Sequence, residues 1–413
     1  MRFFFLLCFA VQISLAQNTE INPQFLSGNE PSLAINPKNN AQVMLAFNNN
    51  NVFRSKDTGN TFKRMKVKSK FGFYGDPVLF WDNYNNIHLL HLANNKKANW
   101  PESFDRIVYQ PLKFNKRCSK KSVGIGFKEG KMQDKPWIFV EPKTGRVHVS
   151  WTQFDKYESK APSDLSRIMH VYSDDNGKTF SKPTVLSHVQ GNCLDGDSTL
   201  EGATIASDDK GVLYCMWSGM NSLWCCMSLD GGISWTVPEV FEAHVDGWDI
   251  KSAGMMRANG MPFTGRVGNK IFVCWAAQKN EMSVIYYKFY NPEYKTWEVS
   301  KTIESKDSYS YVMPHFQTHN NKVMMIFYGV KKGDGNSIAN KINVFKCTIF
   351  DSEQVVLPTA VNDIDFISQG EPFLGDYIAI SPLNLSKEEE ALIAYTTLVN
   401  NRHTYVVVKR IKF

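Results

Sequence analysis

One short pattern recurs seven times along the 413-residue chain: a turn-like opener followed at once by an apolar run. The copies are Glu30-Pro31-Ser32-Leu33, Asp76-Pro77-Val78-Leu79, Asp134-Lys135-Pro136-Trp137-Ile138, Glu201-Gly202-Ala203-Thr204, Met261-Pro262-Phe263, Met313-Pro314-His315-Phe316 and Gly375-Asp376-Tyr377-Ile378, spaced about 45 to 67 residues apart. A second apolar run follows each opener and ends in an aromatic or small residue, as in Val147 to Trp151, Val212 to Trp217, Ile271 to Trp275, Val323 to Tyr328 and Ala391 to Tyr395. Between the runs stand Gly, Asn, Asp and Lys, the residues of tight turns, and convincing helical patterns are nearly absent. This spacing allots one four-stranded antiparallel sheet to each opener. A ring of such sheets leaves few unprotected edges, so the expected fold is an all-β propeller. Seven openers favour seven blades.

A second repeat overlies the first. Ser55-Lys56-Asp57-Thr58-Gly59-Asn60-Thr61-Phe62, Ser173 to Phe180 and Ser228 to Trp235 share Ser-x-Asp-x-Gly-x-Thr/Ser-aromatic, and Tyr290 to Trp297 keeps only the terminal Thr296-Trp297. In such a turn the aspartate accepts backbone N–H bonds, the glycine takes positive φ and the aromatic packs between sheets. These residues are expected at the outer rim of their blades, away from any chemistry.

The pattern resembles the Asp box, or BNR repeat, of the sialidase (neuraminidase) superfamily, whose usual blade number is six. Membership implies a glycan-acting propeller. A working sialidase of this kind clamps the substrate carboxylate with three arginines, attacks with a tyrosine activated by a glutamate, and uses an aspartate as acid and base. By that resemblance Glu201 matches the glutamate, Asp76 is the candidate acid/base and Tyr377 the candidate nucleophile. The first two arginine positions fall on Asn29 and Trp217, with Arg257 and Arg266 as candidates for another member of the clamp. Asn and Trp cannot replace a bidentate guanidinium fork.

The residues make a case independent of the resemblance. In a propeller each innermost strand begins near the axis, so the opener carboxylates Glu30, Asp76, Asp134, Glu201 and Asp376 converge although they are remote in sequence. A ring of like charges raises some carboxyl pKa values and so supplies a protonated acid beside an ionised base, the pairing glycoside hydrolysis needs. Hard oxygen ligands could also hold a central Ca²⁺, although no cofactor is required. Beside the openers, Tyr74, Trp137, Trp248 and Tyr377 could stack on sugar rings, and Lys135, Arg257, Arg266 and His315 could meet a carboxylate or sulfate. Three functions are therefore expected: foremost a sialidase-like glycoside hydrolase, then a non-catalytic glycan- or protein-binding propeller, then a polysaccharide lyase working through Tyr377 and His315.

Other features narrow the partners. The net charge of +7 is mild for this length, and no run of five like charges occurs, which argues against nucleic acid. Met1 to Ala16 read as a secretory leader, with Arg2, an apolar core from Phe3 to Val11, and Ser14-Leu15-Ala16 for cleavage. The propeller domain is then 17–413, exported to the periplasm or the extracellular space. No later stretch reaches eighteen apolar residues, so no transmembrane segment is expected. The seven cysteines after the leader are an odd number and form no CxxC pair, so neither a disulfide scaffold nor a zinc site organises the chain. His88 and His91 would point to opposite faces of one strand, which excludes them as a metal pair. Phosphate loops, a Gly-x-Ser-x-Gly elbow and His-Glu-x-x-His are absent, and Asn384-Leu385-Ser386 is a glycosylation sequon.

Overall fold

The computed structural model describes residues 18–21, 28–243, 245–246, 250, 255–331, 333, 339–369, 371–386, 388–399 and 403–413. The leader expected at 1–16 and Trp248 lie outside them. The described residues form strands and turns only, arranged as seven antiparallel sheets and one short parallel pair, Lys66–Val67 with Cys118–Ser119. The fold is a seven-bladed β-propeller, which resolves the choice between seven blades and six in favour of the opener count.

Each opener leads into the innermost strand of its blade. These strands are Ser32–Asn36, Val78–Trp81, Met132–Val140, Glu201–Ser207, Phe263–Val267, Ser310–His319 and Ala379–Pro382, for blades I to VII. The chain then steps outward through two to four further strands. In blade VII the outermost strand is Asn18–Ile21, which pairs antiparallel with His403–Lys412, Asn18 opposite Lys409 and Ile21 opposite Val406. The first strand of the chain thereby closes the ring.

Two-sided burial explains why the strands read as nearly continuous apolar runs. In blade I, Leu33, Ile35, Val43, Leu45 and Phe47 pack against blade VII, whereas Ala34, Met44 and Ala46 pack against blade II. The period of two persists in blade II, with Leu79 and Leu89 turned to blade I and Val78 and Leu90 to blade III. The apolar layers between blades thus form a ring of cores in place of one centre, with the layers on either side of blade VI merged into a single cluster. Trp151, Trp217 and Trp275, at matching places on the second strands of blades III, IV and V, are among its largest fully buried side chains.

The three Ser-x-Asp turns share one hydrogen-bond pattern on the hairpins between third and fourth strands, at the end of each blade remote from the openers. Asp57 Oδ1 accepts from Thr61 N–H at 2.9 Å and Asp57 Oδ2 from Thr61 Oγ1–H at 2.6 Å; Asp175 with Thr179, and Asp230 with Ser234, repeat both distances. The serine oxygen meanwhile accepts the glycine N–H, at 2.9, 2.8 and 2.8 Å. These bonds to the charged form hold Asp175 and Asp230 at about 2 and lower Asp57 as well. Phe62, Phe180 and Trp235 close the turns against the cores between blades.

Gly177 shows how tightly these turns are fitted. Its φ is +74°, and a Cβ there would lie 2.2 Å from the ring of the fully buried Tyr109. Gly177→Ala is expected to destabilise the fold by about 2–5 kcal/mol, from left-handed strain plus overpacking. Gly130→Ala, at φ +69° with open space around it, should cost only about 1–2 kcal/mol of backbone strain. Denaturant midpoints of the two variants measure the difference, and equal midpoints would remove the packing argument.

Candidate active site

The openers gather at one end of the axis because of a repeated backbone irregularity. Glu30, Asp76, Lys135 and Met313 each adopt left-handed φ, between 49° and 55°, although each is a non-glycine residue directly before proline. That conformation is doubly disfavoured, by Cβ and by the proline ring. In blades III, IV and VI the same place is a break in strand register, between Asp134 and Trp137, Glu201 and Thr204, and Val312 and His315, with Gly202 at φ +70° in blade IV. A bulge of this kind bends the strand and re-aims the side chains at its start. Strain repeated around the axis marks this end as the functional one.

The carboxylates so assembled are bound into two linked groups. In the first, Asp376 of blade VII is 1% exposed and accepts Lys135 Nζ at 2.6 Å; Lys135 also reaches Asp76 Oδ2 at 3.4 Å. Glu30 Oε1 accepts the Asp376 N–H at 3.2 Å, and the Asn48 amide bridges Asn29, Glu30 and the Asp76 N–H. In the second, Arg257 grips Asp376 through Nε at 3.1 Å and through Nη2, while its Nη1 reaches Asp195 Oδ2 at 3.0 Å. Tyr157 O–H donates to the same Asp195 oxygen at 2.7 Å. Glu201, beside Asp195, is 1% exposed, and neither of its oxygens receives an N–H or O–H donor.

Burial and mutual repulsion divide these carboxyls into two protonation classes. Burial, then Asp76 and Asp376, push Glu30 well above the usual glutamate range. Burial, then Asp195, does the same to Glu201. Asp134 is raised to about 7 by burial, opposed by Lys135 and assisted by Asp76 and Asp195. Asp376 moves the other way: burial opposes its charge, but Lys135 and Arg257 hold it below the usual aspartate range. The cluster thus holds a proton-carrying carboxyl beside carboxylates fixed by cations, the division that acid–base chemistry requires.

Tyr377 lies under Lys135, whose Nζ is 5.6 Å from its ring centre. Burial and the surrounding carboxylates raise its phenol well above 10, and no Tyr–Glu hydrogen bond forms at it. Beneath it, Trp137, Phe263 and His315 form an aromatic layer, with ring centres 4.8 to 5.8 Å apart. His315 is neutral: burial lowers it to about 4 while Nδ1–H donates to the Ile378 carbonyl. Below that layer the axial channel is a cavity of about 630 Å³, with Arg266 among its lining residues. Arg266 therefore stands apart from the opener carboxylates, and Trp217, fully buried between blades III and IV, offers nothing to a clamp.

The return loops add residues that the openers did not reveal. Asn48 and Tyr157 follow second strands, and Asp195 lies between blades III and IV. Tyr157 also supports Trp100, whose ring packs edge-on at 5.6 Å and is 53% exposed, and Tyr74, packed on Phe104, is 43% exposed. These two rings offer flat apolar faces beside the carboxylates. The one available signal was topological, since loops after second and fourth strands share the openers' end of a propeller. Among the described residues no three His, Cys, Asp or Glu side chains form a metal-ion ligand set. Lys135 and Arg257 supply the positive charge among these carboxylates through their ion pairs with Asp376.

No protein-family model matches the chain, and no curated protein matches its sequence. Solved structures do share its fold. A PL25 polysaccharide lyase, an ulvan lyase, superposes with a TM-score of 0.54 at 9% identity over 96% of both chains. The GH93 α-L-arabinofuranosidase of Fusarium graminearum gives 0.51 at 11% identity, over 96% of this chain and 98% of that one. The NanB sialidase of Streptococcus pneumoniae gives 0.49 at 10% identity, over 81% and 68%. The chain shares the β-propeller fold of the lyase and the arabinofuranosidase, a likeness of fold alone at these identities.

Proposed function

We propose that the protein hydrolyses glycosidic bonds of neutral sugars at the carboxylate end of its propeller axis. The observation that carries this reading is the burial of Asp134 beside the ion-paired carboxylates Asp76, Asp376 and Asp195, a setting that raises its carboxyl to about 7. Asp134 is the proton donor to the leaving-group oxygen, and Asp76, aligned by Lys135 and by the Asn48 contact to its backbone, is the partner carboxylate. Tyr74 and Trp100 stack on the sugar. The glycan-active enzymes that share the fold support a carbohydrate substrate.

The charge pattern argues for a neutral sugar. Sialoside and uronate chemistry both need cations for the substrate carboxylate, and here Lys135 and Arg257 are already engaged by Asp376, Asp76 and Asp195. An anionic sugar would meet a surplus of acid. The deep burial of the cluster favours the second reading, a binding propeller whose carboxylates only brace the openers.

A panel of aryl glycosides of neutral sugars, a fluorogenic sialoside and ulvan separates these readings. Release of the aryl group from a neutral glycoside, with little or none from the sialoside, is the expected result. A rise in ultraviolet absorbance on ulvan would instead identify a lyase. Glycan binding without turnover by folded protein would identify a binder.

A further inference from the structure

We infer that Asp195 is a further catalytic carboxylate of this site and that Glu201 behind it is a positioning residue, which holds Asp195 through one shared proton. The inference rests on the hydrolase reading for the catalytic role of Asp195. The proton-sharing pair is independent of that reading and rests on the buried, unpartnered oxygens of the two carboxyls.

Three acceptor oxygens of this pair have no donor: both oxygens of Glu201 and Oδ1 of Asp195, all three buried. The other oxygen of Asp195 is fully served by Tyr157 and Arg257. Two carboxylates in contact and away from water cannot both stay charged. A proton on Glu201 turns one orphaned acceptor into a donor, and Asp195 Oδ1 is the acceptor it meets. Asp195 then receives three hydrogen bonds, from Glu201, Tyr157 and Arg257. Its carboxylate is fixed in orientation, and it is the more exposed member of the pair, with its side chain 15% exposed.

The charged and titratable groups around Glu201 agree with this assignment. Asp195 and Asp134 disfavour its charge, whereas Lys135 and Arg257 favour it. Both cations are drawn instead to Asp376. Tyr157, the remaining titratable neighbour, is itself raised by burial and by Asp195, so it stays a donor. Glu201 is therefore the proton holder of this pair, where the sequence resemblance suggested a base.

The test compares Glu201→Gln, Glu201→Leu and Asp195→Asn with the wild type, by denaturant unfolding at a series of pH values and by turnover of a neutral aryl glycoside. A glutamate protonated in the folded state and ionised in the unfolded state makes stability fall as pH rises above about 4.5. Glu201→Gln carries its donor permanently and should remove one proton from this slope, up to a tenfold change in the folding equilibrium per pH unit; the remaining slope sums the other raised carboxyls, Glu30, Asp134 and Glu298, against the buried neutral histidines, and is common to both proteins. In turnover, Asp195→Asn should lower kcat at least 100-fold with KM little changed. Glu201→Leu should lower kcat at least tenfold, and Glu201→Gln should recover most of that loss. An unchanged pH slope in Glu201→Gln overturns the shared proton, and an active Asp195→Asn overturns the catalytic role. If the wild type turns over no glycoside, the functional reading fails, and the pH slope still decides the pair.

Discussion

Asp376→Asn is expected to destabilise the protein by about 3–5 kcal/mol, the effect of leaving buried charges without their partner. Asp376 binds Lys135 and both the Nε and Nη2 of Arg257, and so ties blade VII to blade III and to the loop that leads into blade V. Burial works against Lys135's charge, and Asp376 followed by Asp76 holds the ammonium well above its ordinary range. An asparagine keeps the shape and removes that hold. The denaturant midpoint measures the loss, and Asp376→Asn combined with Lys135→Met should recover part of it. A loss below about 1 kcal/mol would show that Asp76 and Asp195 suffice for the two cations.

The second large effect concerns chemistry and leaves the fold intact. Asp134→Asn should lower glycoside turnover by about 100- to 10,000-fold, the range for removing a general acid. Asparagine retains an Oδ1 for the Lys135 N–H, a bond of 2.8 Å, so the opener should keep its conformation. A pH profile adds a check that a structural role would not pass. The acid works only while protonated, so kcat/KM should fall as pH rises through about 7, and residual activity of the variant should lose that limb. A profile still falling near 7 in Asp134→Asn would assign the limb to another group.

The architecture was largely legible because its determinants are local. Proline or an acid at the start of each inner strand, alternation within strands and the Ser-x-Asp turns each act within about ten residues, and together they specify seven sheets. The site was legible only as a set of openers. That Glu30 meets Asp376, or Arg257 meets Asp195, follows from ring closure, which no local pattern encodes. Asp195, Tyr157 and Asn48 went unnoticed because they lie on return loops without a repeated motif. Arg266 and His315 were assigned by nearness in sequence to an opener, but a strand rises about 3.3 Å per residue. The five residues from Met261 to Arg266 thus carry the guanidinium roughly 16 Å down the channel, past the aromatic layer.

The closure of blade VII also fixes how the ring responds to force. Asn18 lies opposite Lys409, near the last strand's end, so tension applied between residue 18 and residue 413 loads the pair from one side. The strand peels one register pair at a time, Asn18 first and Ile21 last, with no concerted shear to resist it. Blade VII is the weak link under such a load, and the other six blades, each closed by consecutive segments of chain, feel it only after the seam has opened.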